Sequence, residues 1–258
     1  MSETSEIVSS LQAIESEHGV RVLFAVESGS RAWGFASPDS DYDVRFVYAH
    51  PAEWYLSVED LKDTLEKPVS DQLDAGGWEL RKALRQLRKS NTTLFEWLQS
   101  PIVYREAEGF GNAMRELMHA YFSPRAVVYH HLGLVRKMWL EVGPATADLR
   151  LKTAFYLLRS LLSAAWVLEK GTLPPMAFEP LRPLIRDPDL ARLVDRWLAQ
   201  KAASDERTRV PLPGPFRAFI EGGVALCETH AQSAPINQTG PESLNEFFRQ
   251  TILLPHDH

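Results

Sequence analysis

One cysteine, Cys227, occurs in the 258 residues. A lone thiol excludes an intramolecular disulfide and any cysteine-based zinc cluster, and it suits a reducing cytosol. Such a cysteine ordinarily serves as a small buried apolar residue. An excess of positive charge is also lacking. The formal net charge is −6 at pH 7, so the chain as a whole does not attract a polyanion, and a nucleic acid would have to be met by a local basic patch. Long hydrophobic runs are missing too. The residues after Met1 are polar and acidic rather than the apolar core of a secretory signal, and no uncharged apolar run reaches the ~18 residues needed to span a bilayer. The most apolar window, 154–168, is interrupted by Arg159. The expectation is a cytoplasmic chain with no membrane partner. Internal repeats and low-complexity tracts are absent, and the length admits one large domain or two modest ones, each able to bury a core.

Ile7, Leu11 and Ile14 recur at helical spacing and Gly19 stands as a stop, which predicts a leading helix over 5–17. Val20 to Val26 reads as a buried strand and Ser28 to Phe35 as a turn into a helix. Ser37-Pro38-Asp39-Ser40 is a turn by composition, delivering the chain into a second strand from Tyr42 to Tyr48. A third strand is expected around 68–75, then helices over about 78–89 and 94–98. Beyond about Glu108 strand-like alternation fades, and helical patterns follow near 109–121, 124–141, 146–170, 187–203, 214–230 and 242–252, punctuated by prolines. These patterns predict an α/β (α+β) chain. A small mixed, antiparallel-rich sheet with flanking helices occupies 1–107, and an all-helical domain occupies 108–258.

The densest chemistry lies at Gly29-Ser30, followed by ten residues and then Asp41-Tyr42-Asp43. A Gly-Ser turn at a helix start offers backbone N–H groups and a hydroxyl to a triphosphate, with Gly29 permitting close approach. Asp41 and Asp43 at i and i+2 share one strand face with Arg45, opposite Tyr42, Val44 and Phe46. Taken alone, an Asp-x-Asp pair is also an ordinary solvated strand entrance. Beside the Gly-Ser turn it reads as a Mg²⁺ site, because a transferring nucleotidyl group carries negative charge that two ions about 3.5–4 Å apart can neutralise. A third carboxylate is then needed, and Asp71, Asp74 and Glu79 are the candidates. Asp74 sits between Leu73 and Ala75 in a strand-like pattern, whereas Glu79 follows Trp78 at a helix start, where an acid complements the helix dipole. Arg31 is placed either to grip phosphate or as an exposed helix-start residue, and Arg45 to pair with the acids.

The stretch GSRAWGFASPDSDYDVR resembles the DNA polymerase β-like nucleotidyltransferase superfamily. Together with WELRKALRQLRKSN, FEWLQSPIVY and FYLLRSLLSAAWVLEKGTLPP it is most similar to the RNA-repair branch, the RNA ligase partner family. The resemblance implies transfer of a nucleoside monophosphate from an NTP to an acceptor hydroxyl. Asp41 and Asp43 would ligate Mg²⁺, with Mn²⁺ as the alternative, and Asp74 would stand at the third acid position. Gly29, Ser30 and Arg31 would meet the triphosphate. It also makes Lys152, Tyr156 and Arg159 candidates to bind base or acceptor, since helical domains attached to such catalytic domains do so. An Arg inside an otherwise apolar helix is costly unless paired or facing a polar cleft.

On the basic helix, Arg81, Arg85 and Arg88 recur on one face, which is either a solvated face or a phosphate-tracking surface. Lys82 is the member expected at nucleotide or acceptor phosphate. An RNA end or an RNA ligase is the partner the resemblance suggests, while the acidic charge suits a protein hydroxyl or a small molecule equally. Two other readings stand beside these: a helical ribonuclease built on Arg125 and His130, a spacing that arises readily by chance, and a non-catalytic ligase partner, against which the intact acids argue. His130-His131 is too little for a metal site, because adjacent helical residues diverge. Base preference and oligomeric state are not legible.

Overall fold

The structure, a computed structural model, describes residues 3–70 and 73–253. In chain order its elements are α1 (Glu3–His18), β1 (Arg21–Ser28), α2 (Gly29–Trp33), β2 (Tyr42–Ala49), β3 (Thr64–Ser70), β4 (Leu73–Glu79), α3 (Leu80–Arg88), α4 (Thr92–Gln99) and β5 (Val103–Glu106). There follow α5 (Phe110–Ala120), α6 (Pro124–Val142), β6 (Asp148–Arg150), α7 (Leu151–Lys170), α8 (Pro188–Ala202), β7 (Arg209–Pro211), α9 (Gly214–Ala231) and α10 (Glu242–Leu253). Short 3-10 turns occupy Ala52–Leu56 and Glu179–Leu184. The one strand expected at 68–75 is instead two, β3 and β4, and Asp71 lies outside the described residues. The chain divides into two compact units. One takes the residues through Gly29, Asp41–Tyr121 and those from Gln238 on; the other takes Ser30–Ser40 and Phe122–Asn237.

The first unit is built on a five-stranded mixed sheet in the order β3-β4-β2-β1-β5. The β2/β4 pair is parallel and the other pairings are antiparallel. Alternation along β2 sends Val44, Phe46 and Tyr48 into one core with Ile7, Leu11 and Ile14 of α1, leaving Asp43 and Arg45 on the opposite face. Helix α5 belongs with this sheet rather than with the helices that follow it: the rings of Phe110 and Phe24 lie 6.5 Å apart, and those of Phe110 and Phe247 of α10 lie 5.6 Å apart. The Arg21 guanidinium donates to the Thr251 carbonyl at 3.0 Å, which ties α10 back to β1.

The second unit is helical, with a two-stranded ribbon of β6 and β7. Helix α7 is its core helix. It is long and apolar enough to cross a membrane by length and composition, and 67% of its most apolar window is buried inside the protein. The segment 30–40 belongs to this unit because it brings aromatic rings into the helical core. Phe35 stacks on Phe155 at 5.1 Å and meets Phe178 edge-on at 5.7 Å, and Trp33 meets Tyr156 edge-on at 5.0 Å. Burying a Phe side chain stabilises by about 1.5–3 kcal/mol, enough to hold a short connection in place.

Candidate active site

In the sheet unit, Asp43 and Asp74 are direct partners across the parallel β2/β4 pair. This register places two carboxylates side by side on the face that the apolar alternation leaves open. Gly29 clears the space for one of them. Its φ is +68°, in the left-handed region, and a Cβ built there would overlap the Asp43 Oδ2, so only glycine serves both the turn and the carboxylate. Arg45, two residues along β2, lies across both acids, with its Nη2 3.3 Å from Asp43 Oδ1 and 2.7 Å from Asp74 Oδ2. These side chains are partly solvated, so the pairs contribute at most about 1 kcal/mol each to stability. Asp41 is exposed just ahead of β2.

Behind Asp43 stands Glu27, a fully buried carboxylate. It accepts the Asp43 backbone N–H at 2.9 Å and the Tyr104 hydroxyl at 2.5 Å. Ser100 Oγ donates to the Glu27 carbonyl at 2.6 Å. A buried carboxyl group is kept only where hydrogen bonds satisfy it, and here those bonds fix the backbone that carries Asp43. The signal in the sequence is an acid closing an apolar strand run, immediately before Ser28-Gly29, and composition-based reading passes over it.

Glu79 has a different place from Asp74. It is 1% exposed and caps α3, accepting the backbone N–H groups of Arg81 at 2.8 Å and Lys82 at 3.1 Å and the Tyr55 hydroxyl at 2.7 Å. That satisfies donors every helix start leaves open. Tyr55 is pushed above its ordinary pKa by burial and by Glu79 beside it, so the hydroxyl stays protonated and keeps donating. Lys82 is ion-paired with Asp63 at 2.8 Å, unlike its helix neighbours Arg85 and Arg88.

In the helical unit, Ser30, Arg31, Lys152, Tyr156 and Arg159 are all held by neighbours of that unit. The Ser30 hydroxyl donates to Ser40 Oγ at 3.2 Å, and Arg31 donates to the Ser40 carbonyl at 2.6 Å. Ser40 in turn donates to Glu206 Oε1 at 2.5 Å, which also lies 3.2 Å from the buried Lys201 Nζ, while Lys152 Nζ is 3.1 Å from Glu206 Oε2. Burial raises the Glu206 pKa, but Ser40 and the two lysines outweigh it and hold the carboxyl below its usual range. The Glu206 backbone N–H donates to Asp39 at 3.1 Å. Glu206 and Lys201 thus anchor the Gly-Ser segment, and no local pattern in the sequence connects them to it. Arg159 is 4% exposed, donating to the Met176 carbonyl at 3.0 Å with its guanidinium 4.3 Å from the Trp33 ring. An indole face and a carbonyl stabilise that charge.

Among the described residues no three His, Cys, Asp or Glu side chains are arranged to hold a metal ion. Asp43 and Asp74 nevertheless fit a hard divalent cation. They are adjacent all-oxygen donors, Gly29 makes room for the carboxylate of one of them, and a positive group, Arg45, lies across both.

The chain is 44% identical over 216 residues, 83% of each chain, to the uncharacterized protein YcgL of Bacillus subtilis (strain 168). Among solved structures it is similar to a nucleotidyltransferase-like protein from Exiguobacterium sibiricum 255-15, at 15% identity with a TM-score of 0.34, over 98% of this chain and 81% of that one. A family model matches residues 4–250, almost the whole length, and by that match the chain belongs to the RNA repair pathway DNA polymerase beta family.

Proposed function

We propose that this chain transfers a nucleoside monophosphate from an NTP to an acceptor hydroxyl, with release of pyrophosphate, and that the acceptor is an RNA end. The observation that carries the reading is the pairing of Asp43 with Asp74 across β2 and β4 beside a glycine that cannot bear a side chain. Asp43 and Asp74 would hold Mg²⁺, with Asp41 on the exposed approach to β2, and the ion when bound supplies charge neutralisation at the attacking and leaving oxygens. Glu27 fixes the backbone of Asp43, so the carboxylate need not reorganise as charge develops. Arg45 would balance part of the charge of the same two carboxylates. The backbone at Gly29 would receive the triphosphate. Catalysis on this reading consists of positioning and electrostatics. Family membership supports RNA repair as the setting, and the intact acids favour turnover over a purely structural partner role.

The test is incubation of the protein with each labelled NTP, Mg²⁺ or Mn²⁺, and a panel of RNA, protein and small-molecule acceptors. Wild type is expected to label RNA ends. Asp43→Asn is expected to fold normally and lose transfer by about a thousandfold, equivalent to about 4 kcal/mol of transition-state stabilisation. Near-normal turnover in Asp43→Asn sinks the assignment.

A further inference from the structure

Within the sheet unit, α3 and α10 enclose a cavity of about 350 Å³ that the catalytic reading leaves unused. Arg81, Arg85 and Arg88 line one side, Asn245 and Phe248 the other, and Leu84 and Leu244 its floor. Among the described residues no carboxylate lines it. Among the described residues the side chains of Arg85 and Arg88 make no hydrogen bond or ion pair, and both are exposed. Arg81 is held in place by two rings, its guanidinium 5.0 Å from Tyr55 and 5.3 Å from Phe248. In a chain of net charge −6, guanidinium groups gathered without an acid to balance them mark a site for an outside anion.

We propose that this groove binds the phosphates of a single-stranded RNA, which makes it the acceptor-strand site of the reaction proposed above and rests on that reading for its purpose. The three arginines stand at i, i+4 and i+7, so they share one helix face over about 10 Å of axial rise. One phosphate cannot reach both ends of such a row, whereas successive phosphates of a strand can. Arginine forks match phosphate oxygens bidentately, and the leucine floor with Phe248 at its wall offers an apolar surface to an unstacked base. The pairing of Lys82 with Asp63 removes the lysine from this row and leaves the arginines as the contacts.

The experiment measures fluorescence anisotropy of a labelled single-stranded oligoribonucleotide over a salt series, without NTP or divalent metal, for wild type and Arg85→Ala/Arg88→Ala. For single strands each lost phosphate contact lowers the log–log salt slope by about 0.7, or about fivefold in affinity at 0.1 M, so the double variant is expected to bind about 25-fold more weakly with a slope smaller by about 1.4. A control, Arg192→Ala/Arg196→Ala on α8, removes the same charge elsewhere and is expected to leave both unchanged. Unchanged binding in Arg85→Ala/Arg88→Ala, or an equal loss in the control, overturns the groove. Poly-glutamate displacing the RNA at equal charge concentration also overturns it, in favour of an acidic protein segment. Because no chemistry is read, failure here is separable from failure of the transfer assay: a variant that still binds RNA weakly beside a wild type that transfers nothing condemns the catalytic reading alone.

Discussion

Two glycines in one connection separate backbone demand from site demand. Gly29 and Gly34 both hold positive φ, +68° and +87°, but a Cβ at Gly34 has nothing within 4 Å, whereas one at Gly29 would overlap the Asp43 carboxylate. Gly34→Ala is expected to cost about 1–2 kcal/mol of stability through the left-handed backbone alone, with transfer intact. Gly29→Ala is expected to cost a similar amount and in addition to lower the transfer rate at least tenfold, because Asp43 must move. Denaturant midpoints and single-turnover rates read in parallel check the pair, and equal rates in the two variants would remove Gly29 from the site. Glu27 acts on the same carboxylate from behind. Its truncation to Ala leaves the Asp43 N–H and the Tyr104 hydroxyl without an acceptor in the core, at an expected cost of about 2–4 kcal/mol.

At the scale of elements, β4 and the start of α3 divide two acids five residues apart into different roles. Asp74 faces Asp43 from the start of β4 with its side chain 56% exposed, whereas Glu79 is buried beneath the first turn of α3. Asp74→Asn is expected to abolish single-turnover transfer while leaving NTP affinity and the urea midpoint near wild type. Glu79→Ala is expected to lower stability by about 1–3 kcal/mol through the lost cap and the unpaired Tyr55 hydroxyl, with little kinetic effect. Loss of chemistry in a Glu79→Gln variant together with its retention in Asp74→Asn would reverse the assignment. Most elements were legible in advance because burial and periodicity coincide in them. In α1 and β2 the apolar positions lie on one face, and α5 to α10 are bounded by prolines and glycines. The exceptions have local causes. β4 contains Gly76-Gly77, poor strand formers whose small size is required because the Phe46 ring occupies the space a Cβ at Gly77 would take. β5 is a four-residue edge strand, half solvated, so it shows neither a run nor an alternation. The acids and the Gly-Ser turn were readable as a motif. Glu27, Lys201 and Glu206 were not, because their partners lie far away in sequence.

For the molecule as a whole, one buried and one half-buried imidazole shape how stability responds to acid. His50, stacked on Trp54 at 4.1 Å, is lowered by burial and by His18 to a pKa of about 4. His131 in α6 is held well below the ordinary value by burial, with Arg159 and His130 adding repulsion. Histidines lowered on folding bind protons more readily when unfolded, so the unfolded chain gains protons first as pH falls. Stability is therefore expected to be level above pH ~7, where free histidine is already neutral, and to decline from the ordinary histidine pKa toward the folded value of about 4. Urea midpoints at pH 7.5, 6 and 5 check this, and a midpoint that holds constant to pH 5 would contradict it. Glu206 adds its own loss from the ordinary carboxylate pKa downward, since its folded pKa is depressed and the unfolded chain binds that proton first. The tie between Arg21 and Thr251, separated by 230 positions, has a consequence for the order of synthesis. A ribosome delivers β1 and α3 long before α10, so the sheet unit waits for its last helix, and contacts of such range make folding slow. Until α10 arrives the arginines of α3 have no opposite wall, and a nascent chain emerging among ribosomal and messenger RNA cannot yet form the groove that would grip a strand.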